Sequence, residues 1–538
     1  MSSPDNSERS DRAPNLDYAP KWAGDNRQGR ARSAEAGLSK EGERSSSIRN
    51  LAQRRPSLDP EVVHFRQPPR RGRFVSSASF VIAAALGAVI GLVVTGQFPS
   101  ILGETPQSST KMTELTSRLG QLKNSQPANS LPAGVVTAPT AQQPASGAPV
   151  HVATVGGASQ PAPTIRGVTD TEIRFGVSAP FTGPAKELGQ NIKLGIEAAF
   201  NVANANGGVH GRQLRLVAVD DGYEPARTAT TMKQLYERDQ VFGVIGNVGT
   251  PTAVVALPYA LDRKMLFFGA FTGAGLLRND PPDRYVFNYR ASYAEETAAV
   301  VNYLVKVRQL LPEQIAVFAQ QDAYGDAGFA GVQKAIRSLR GGNETLILRL
   351  NYQRNTLDVD DAVAQLQLKR RIPIKAVIMV PTYRAAAKFI EKTRDLFPEM
   401  IYTSVSFVGS TALADELMLL GPKYATGVIV TQVVPAVEGH SSLVLNYKSA
   451  LAKYFPGVAS DYVSLEGYVD ASVLIAALQR NGPQLDTEKL VGTLESLRDL
   501  DIGLGTPVSF SGSEHQGVHK VWGTQLDANG HYQPIDLQ

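Results

Sequence analysis

From about Val168 to the C-terminus the sequence predicts an α/β fold of two doubly wound, mainly parallel sheets, and three observations predict it. Short apolar runs alternate with longer amphipathic ones, giving the βαβα order that places a parallel sheet between layers of helix. Glycine, proline and capping residues punctuate the longer runs where helices should start and stop. The stretch covers about 370 residues, more than one such sheet accommodates, so two lobes joined by a hinge are expected.

Taken in order, EIRFGVSAP (172–180) reads as a strand and GQNIKLGIEAAFNVANANGG (189–208) as a helix closed by Gly207 and Gly208. QLRLVAVDD is the next strand, ARTATTMKQLYERD the next helix, and VFGVIGNVG a buried strand running into a turn. TPTAVVALPYALDRK then reads as a helix and MLFFGAF as a strand. The alternation returns in QIAVFAQQ, GDAGFAGVQKAIRSLR, TLILRLNY, DVDDAVAQLQLKR, IKAVIMVPT, RAAAKFIEKTRDLF and GVIVTQVV.

The N-terminal part has a different texture. Residues 1–73 are rich in Ser, Arg, Asn, Asp, Pro and Gly without a sustained apolar period, the composition of a disordered tail. FVSSASFVIAAALGAVIGLVV, Phe74 to Val94, is uncharged, long enough to span a bilayer, and follows Arg70, Arg71 and Arg73. It predicts a single-pass helix over 74–97 in the inner (cytoplasmic) membrane, with the N-terminus cytoplasmic and the α/β part periplasmic or extracellular. A cleaved signal is the alternative: Arg70 and Arg71 form a twin-arginine pair, and Val94-Thr95-Gly96 is a tolerable cleavage site. Residues 98–167, dominated by Pro, Ala, Ser, Thr, Gln and Gly, read as a flexible stalk. Ala83, Gly87 and Gly91 recur every fourth residue, and Met112, Leu115, Leu119 and Leu122 have coiled-coil spacing. Both signals are short, so a homodimer stands as an expectation to test.

Charge and cysteine usage narrow the classes. The chain of 538 residues has a net charge of +4; up to Arg73 there are 15 Lys and Arg against 10 Asp and Glu, which leaves the remainder at −1. The basic excess therefore lies beside the membrane run, where anionic lipid attracts it, and no helical period organises it for nucleic acid. With no cysteine, disulfides, thiol nucleophiles and a lipid-modified N-terminal cysteine are excluded.

In open parallel sheets the crevice lies beyond the carboxyl ends of the strands, which directs attention to the residues after each strand. Gly246-Asn247-Val248-Gly249-Thr250-Pro251-Thr252 is the best such segment. Gly249 suits a sharp turn, Thr250 an N-cap and Pro251 the first helical position, and the helix start would favour a carboxylate or another anion. An ordinary capped helix explains the same residues. Phe268-Gly269-Ala270-Phe271-Thr272-Gly273 ends the next strand close to the same point.

Here the residues carry a resemblance. FGVSAPFTGPAKELGQNIKLGIEAAFNVANANGGVHGRQLRLVAVDD, with VIGNVGTPTAVVALP, LFFGAFTG and QQDAYGDAGFAGVQKAI, is similar to the leucine/isoleucine/valine-binding receptors of ABC transporters, the periplasmic binding protein type I fold. The resemblance spans about residues 170–530. It implies lobes of about 168–290 plus 435–504, and 291–434 plus the C-terminal end, joined by three crossing strands and closing on a ligand. It implies further that Thr250 stands where the family binds the ligand carboxylate, and that Ala270 and Thr272 offer a backbone carbonyl to the ammonium and a hydroxyl to the carboxylate. Tyr324 and Tyr383 match tyrosines lining the cleft from the second lobe; as plain core residues each hydroxyl would need a partner.

The chain also departs from the pattern. Where the amino-acid receptors commonly place an acid for the ligand ammonium, it has Ser410 and Thr411, and Leu188 replaces a common aromatic. A buried ammonium without a carboxylate is costly, so a carboxylate, amide or aromatic acid suits the remaining groups better than a plain α-amino acid. His515 and His519 have zinc-ligand spacing in what reads as a hairpin, but no third ligand is near, and no metal or cofactor is expected. Gly243, Gly246 and Gly249 are not a dinucleotide fingerprint, and Asp220 and Asp221 point to opposite sides, one capping a turn. Nothing resembles a catalytic constellation. The expectation is a non-enzymatic receptor for an amino acid or other small carboxylate, presenting it to an ABC permease; the alternative is a membrane-anchored sensor or scaffold signalling to a cytoplasmic partner.

Overall fold

The computed structural model describes residues 165–538 other than Arg340 and Lys369. The tail, the membrane run, almost all of the stalk and the two self-association signals lie outside the described residues. Among the described residues no helix is long and apolar enough to cross a membrane.

The first sheet has the order β2-β1-β3-β4-β5 and is wholly parallel, built from β1 (Glu172–Ala179), β2 (Gln213–Asp220), β3 (Gly243–Ile245), β4 (Leu266–Phe268) and β5 (Val286–Phe287). Helices α1 (Lys186–Ala205), α2 (Pro225–Glu237) and α3 (Thr250–Asp262) connect these strands. Apolar residues of α1 recur at helical spacing, with Leu188, Ile192, Ile196 and Ala199 buried.

The second sheet has the order β12-β11-β10-β9-β8-β6-β7. Strands β6 (Ile315–Gln320), β7 (Leu348–Tyr352), β8 (Ala376–Val380), β9 (Ile401–Ser404) and β10 (Ile429–Gln432) run parallel. The last two strands, β11 (Trp522–Leu526) and β12 (Tyr532–Ile535), add to it antiparallel. Its helices are α4 (Tyr293–Asn302), α5 (Ala323–Ser338), α6 (Asp360–Gln367), α7 (Tyr383–Arg394), α8 (Ser410–Leu420) and the single turn α9 (Pro422–Ala425).

After β10 the chain returns to the first lobe as α10 (Ser442–Tyr454), α11 (Tyr462–Asn481) and α12 (Thr487–Glu495). Helix α11 is buried along almost its whole length and packs on α1. Glycine permits this approach: a methyl group on Gly195 would overlap the Ser464 carbonyl, and one on Gly467 the Ile192 carbonyl.

Three segments cross between the sheets. Asn288–Tyr289 and His515–Val518 are joined by backbone bonds, with Asn288 N–H donating to the His515 carbonyl at 2.9 Å and Val518 N–H to that of Tyr289 at 3.0 Å. The third is fastened by the Tyr289 hydroxyl, which donates to the Val433 carbonyl at 2.9 Å. The hairpin expected around the histidines is only a tight turn, Ser511 pairing with Glu514, because the following residues are taken up by the pairing of Gln516 with Asn288. His515 stacks on Phe287 with centroids 3.9 Å apart, and His519 reaches Glu295 at 2.7 Å.

Candidate functional site

The loops after β3 and β4 lie side by side. Phe271 N–H donates to the Asn247 carbonyl at 2.8 Å, and Gly249 N–H to that of Phe271 at 3.1 Å. Gly249 has φ 102°, and a side chain there would strike the Tyr223 ring. The helix start differs from the sequence expectation by one position: Gly249 is the N-cap, Thr250 the first helical residue and Pro251 the second. The cause is an alternative partner, since the Thr250 and Thr272 hydroxyls bond each other at 2.7 Å. No side chain then caps α3, so its first-turn amides keep the unpaired, electropositive character of a helix N-terminus.

Thr272 is fully buried and also donates to the Tyr293 hydroxyl at 3.3 Å. Burial pushes Tyr293 up to about 12, so its hydroxyl stays protonated. The Ala270 carbonyl accepts from Thr272 N–H at 2.7 Å.

From the second lobe, Tyr324 enters at the start of α5, where Asp322 caps the helix, and its hydroxyl donates to the Pro381 carbonyl at 3.3 Å. Phe407, in a turn after β9, stands among four rings. Its centroid lies 4.6 Å from Tyr324, 5.1 Å from Phe271, 6.2 Å from Tyr223 and 6.4 Å from Tyr293. All five are buried. The structure thus brings Thr250, Thr272 and Tyr324 together at the lobe junction, with Ala270 one residue from Phe271.

Tyr383 and Thr411 lie at other points between the lobes, outside that cluster. Tyr383 is buried beside Leu188 and Gly409, without a partner for its hydroxyl among the described residues. Thr411 stands in the first turn of α8, which packs against α11. Both aspartates of the 220–221 pair bind turn amides: Asp220 accepts from Phe181 and Gly222, Asp221 from Tyr223. Burial would raise Asp220, but donors from Thr182, Phe181, Arg227 and Gly222 outweigh it and hold the carboxyl at about 2.

Sequence reasoning missed the groups beneath this cluster. Arg290, on the first crossing, is 1% exposed and lies 3.2 Å from both Glu296 of α4 and Glu466 of α11. Glu296 also receives Ser406 N–H at 2.7 Å and the Thr431 hydroxyl at 2.5 Å. Arg290 donates to the Ser406 hydroxyl and its guanidinium lies 5.0 Å from the Phe271 ring centre. Burial pushes Glu466 up to about 7, with Arg290 opposing and Glu296 reinforcing. Asp470, one turn on, is raised by burial and by Glu466. Two acids within the apolar run YVSLEGYVDASVLIAALQ were the available signal.

The lobes are clamped at the rim. Arg354 pairs with Glu224 at 3.0 Å and Asn355 donates to Glu224 at 2.6 Å, while in the buried interior Gln320 donates to the Tyr223 hydroxyl at 3.2 Å. Behind Phe271 a space of about 180 Å³, lined in part by Ser406, Gln432, Tyr462 and Glu466, is too narrow for a water molecule. A roomier hollow of about 510 Å³, beside Leu348 and Arg370 at the outer edge of the second sheet, is open to solvent and away from the lobe junction.

Two α/β lobes, three crossings and a helix N-terminus facing the opposite lobe define a hinged solute-binding protein. A family model described as periplasmic binding protein matches residues 172–531. A solved structure of a possible leucine/isoleucine/valine-binding protein from Rhodopirellula baltica is 41% identical, with a TM-score of 0.65, over 70% of this chain and 99% of that one. A substrate-binding periplasmic protein from Ralstonia solanacearum is 26% identical, with a TM-score of 0.61, over 68% and 100%. Leu/Ile/Val-binding protein homolog 3 of Brucella melitensis is 25% identical over 62% of this chain and 86% of its own length. The chain belongs to the leucine/isoleucine/valine-binding family of periplasmic binding proteins, which are substrate-binding receptors and not enzymes.

Proposed function

We propose that the protein is an extracytoplasmic receptor that takes an amino acid or related small carboxylate between its lobes and delivers it to an ABC permease. The observation that carries this reading is the Thr250–Thr272 hydroxyl pair, 2.7 Å apart, at the N-terminus of α3. Two hydroxyls and free first-turn amides are suited to a carboxylate's two oxygens. Tyr324 and Tyr293 supply walls for an apolar group, and the names of the Brucella and Rhodopirellula relatives favour branched apolar amino acids. Tyr383, Thr411 and the Ala270 carbonyl belong to this proposal as groups that lobe opening would expose to a solute.

A thermal-shift screen of the full chain against amino acids, amides and organic acids tests it. A binder at 100 times its Kd is expected to stabilise the protein by about 2.7 kcal/mol. Thr250→Ala and Tyr324→Ala are each expected to weaken that response. Unchanged affinity in both would discard the assigned cleft.

A second reading is favoured by residues 1–97, since uptake needs neither a basic tail nor a membrane run. In it, closure outside biases a dimeric anchor and the tail engages a cytoplasmic partner. Single-molecule counting in membranes that found monomers would remove the dimer.

A further inference from the structure

We propose that Phe407 is an internal occupant of the cleft, competing with the solute and restricting the receptor to carboxylates that carry a bulky branched or aromatic group. This deepens the receptor reading and rests on it. The ring is buried among Phe271 and Tyr223 of the first lobe, Tyr324 of the second and Tyr293 beside the hinge, all within 6.4 Å between centroids. It therefore joins the lobes as the apolar part of a solute would. The polar end is closed in the same way, because the Thr250 and Thr272 hydroxyls satisfy each other. The turn holding Phe407 is anchored next door: Ser406 donates its N–H to Glu296 and accepts from Arg290. Holding the ring thus coincides with seating the hinge.

A solute enters only by recovering the apolar contact that Phe407 gives up. Glycine or acetate offers too little area, whereas a branched or aromatic carboxylate can match it. The plugged closed form reduces the binding-competent fraction, and removing the ring restores it.

The absence of native cysteine makes the test direct. Spin labels on Lys233→Cys in α2 and Lys334→Cys in α5, one on each lobe, report the lobe separation in the full chain without added solute. The unaltered cleft is expected to give one short distance, Phe407→Ala a longer and broader distribution, and Phe407→Leu a mixture. An open distribution in the parent, or a short distance unchanged in Phe407→Ala, overturns the proposal. If Phe407→Ala does not fold, a short distance alone in Phe407→Leu overturns it. Titration with L-isoleucine, phenylacetate and glycine separates this from the receptor reading. Phe407→Ala is expected to bind the first two at least tenfold more tightly than the parent and to gain measurable binding of glycine, which the parent excludes, and equal affinities overturn the plug. Distances that lengthen while no variant binds any carboxylate of the wider screen overturn the receptor reading and the competition with it, whereas carboxylate binding with distances unchanged in Phe407→Ala overturns the plug alone.

Discussion

Arg290 stands between Glu296 and Glu466 with all three side chains buried, so the charge state of Glu466 bears on the hinge itself. Because burial raises Glu466, the native state holds its proton more tightly than the unfolded chain does. Its contribution to stability is full below the unfolded value of about 4.3 and is lost as pH rises through about 7. His519 is raised by its bond to Glu295, so its contribution is full below about 6.5 and is lost above. Glu295 runs the other way: burial would raise it, yet His519, Ser292 and Gln516 hold it at about 2, so its contribution fades only in acid. Stability measured by denaturant is therefore expected to fall between about pH 5 and 8. Glu466→Gln and His519→Ala should each flatten part of that fall. A stability that rises across this window would contradict both assignments.

Helices α1 and α11 are the element pair on which the first lobe is built, and their spacing depends on Gly195 and Gly467. Gly195→Ala forces a methyl into the Ser464 carbonyl, an overpacking expected to cost about 1–3 kcal/mol. A melting temperature unchanged in that variant would show that the helices do not meet there. The two helices were not equally legible. In α1 apolar residues keep to one face, so its period is visible; α11 is apolar all round because it is buried all round, which erases the period. Thr250 was recognisable as a helix-start residue, but its position slipped by one because a hydroxyl 22 residues away outbids the local cap. Phe407 left no trace in its neighbours, SVSFVGST, since its role comes from four rings contributed by distant segments. The strand and helix alternation carried the fold; the convergence of distant side chains, which makes the site, is a tertiary property.

At the scale of the whole molecule, the three crossings set the lobes face to face, and the contact between them is aromatic at its centre and charged at its rim. Opening the cleft separates Phe407 from Phe271 and Tyr223, and Arg354 from Glu224. The rim pairs are partly exposed and are worth little individually, so the rings provide most of the closing force. The central claim is that a solute replaces that aromatic contact at the start of α3. The most direct measurement is a crystal structure of the full chain with the best carboxylate from the thermal-shift screen. The expected result places the carboxylate within hydrogen-bond distance of the Thr250 and Thr272 hydroxyls, with Phe407 turned out of the cluster. A carboxylate bound elsewhere, with Phe407 still packed against Phe271 and Tyr324, would contradict it.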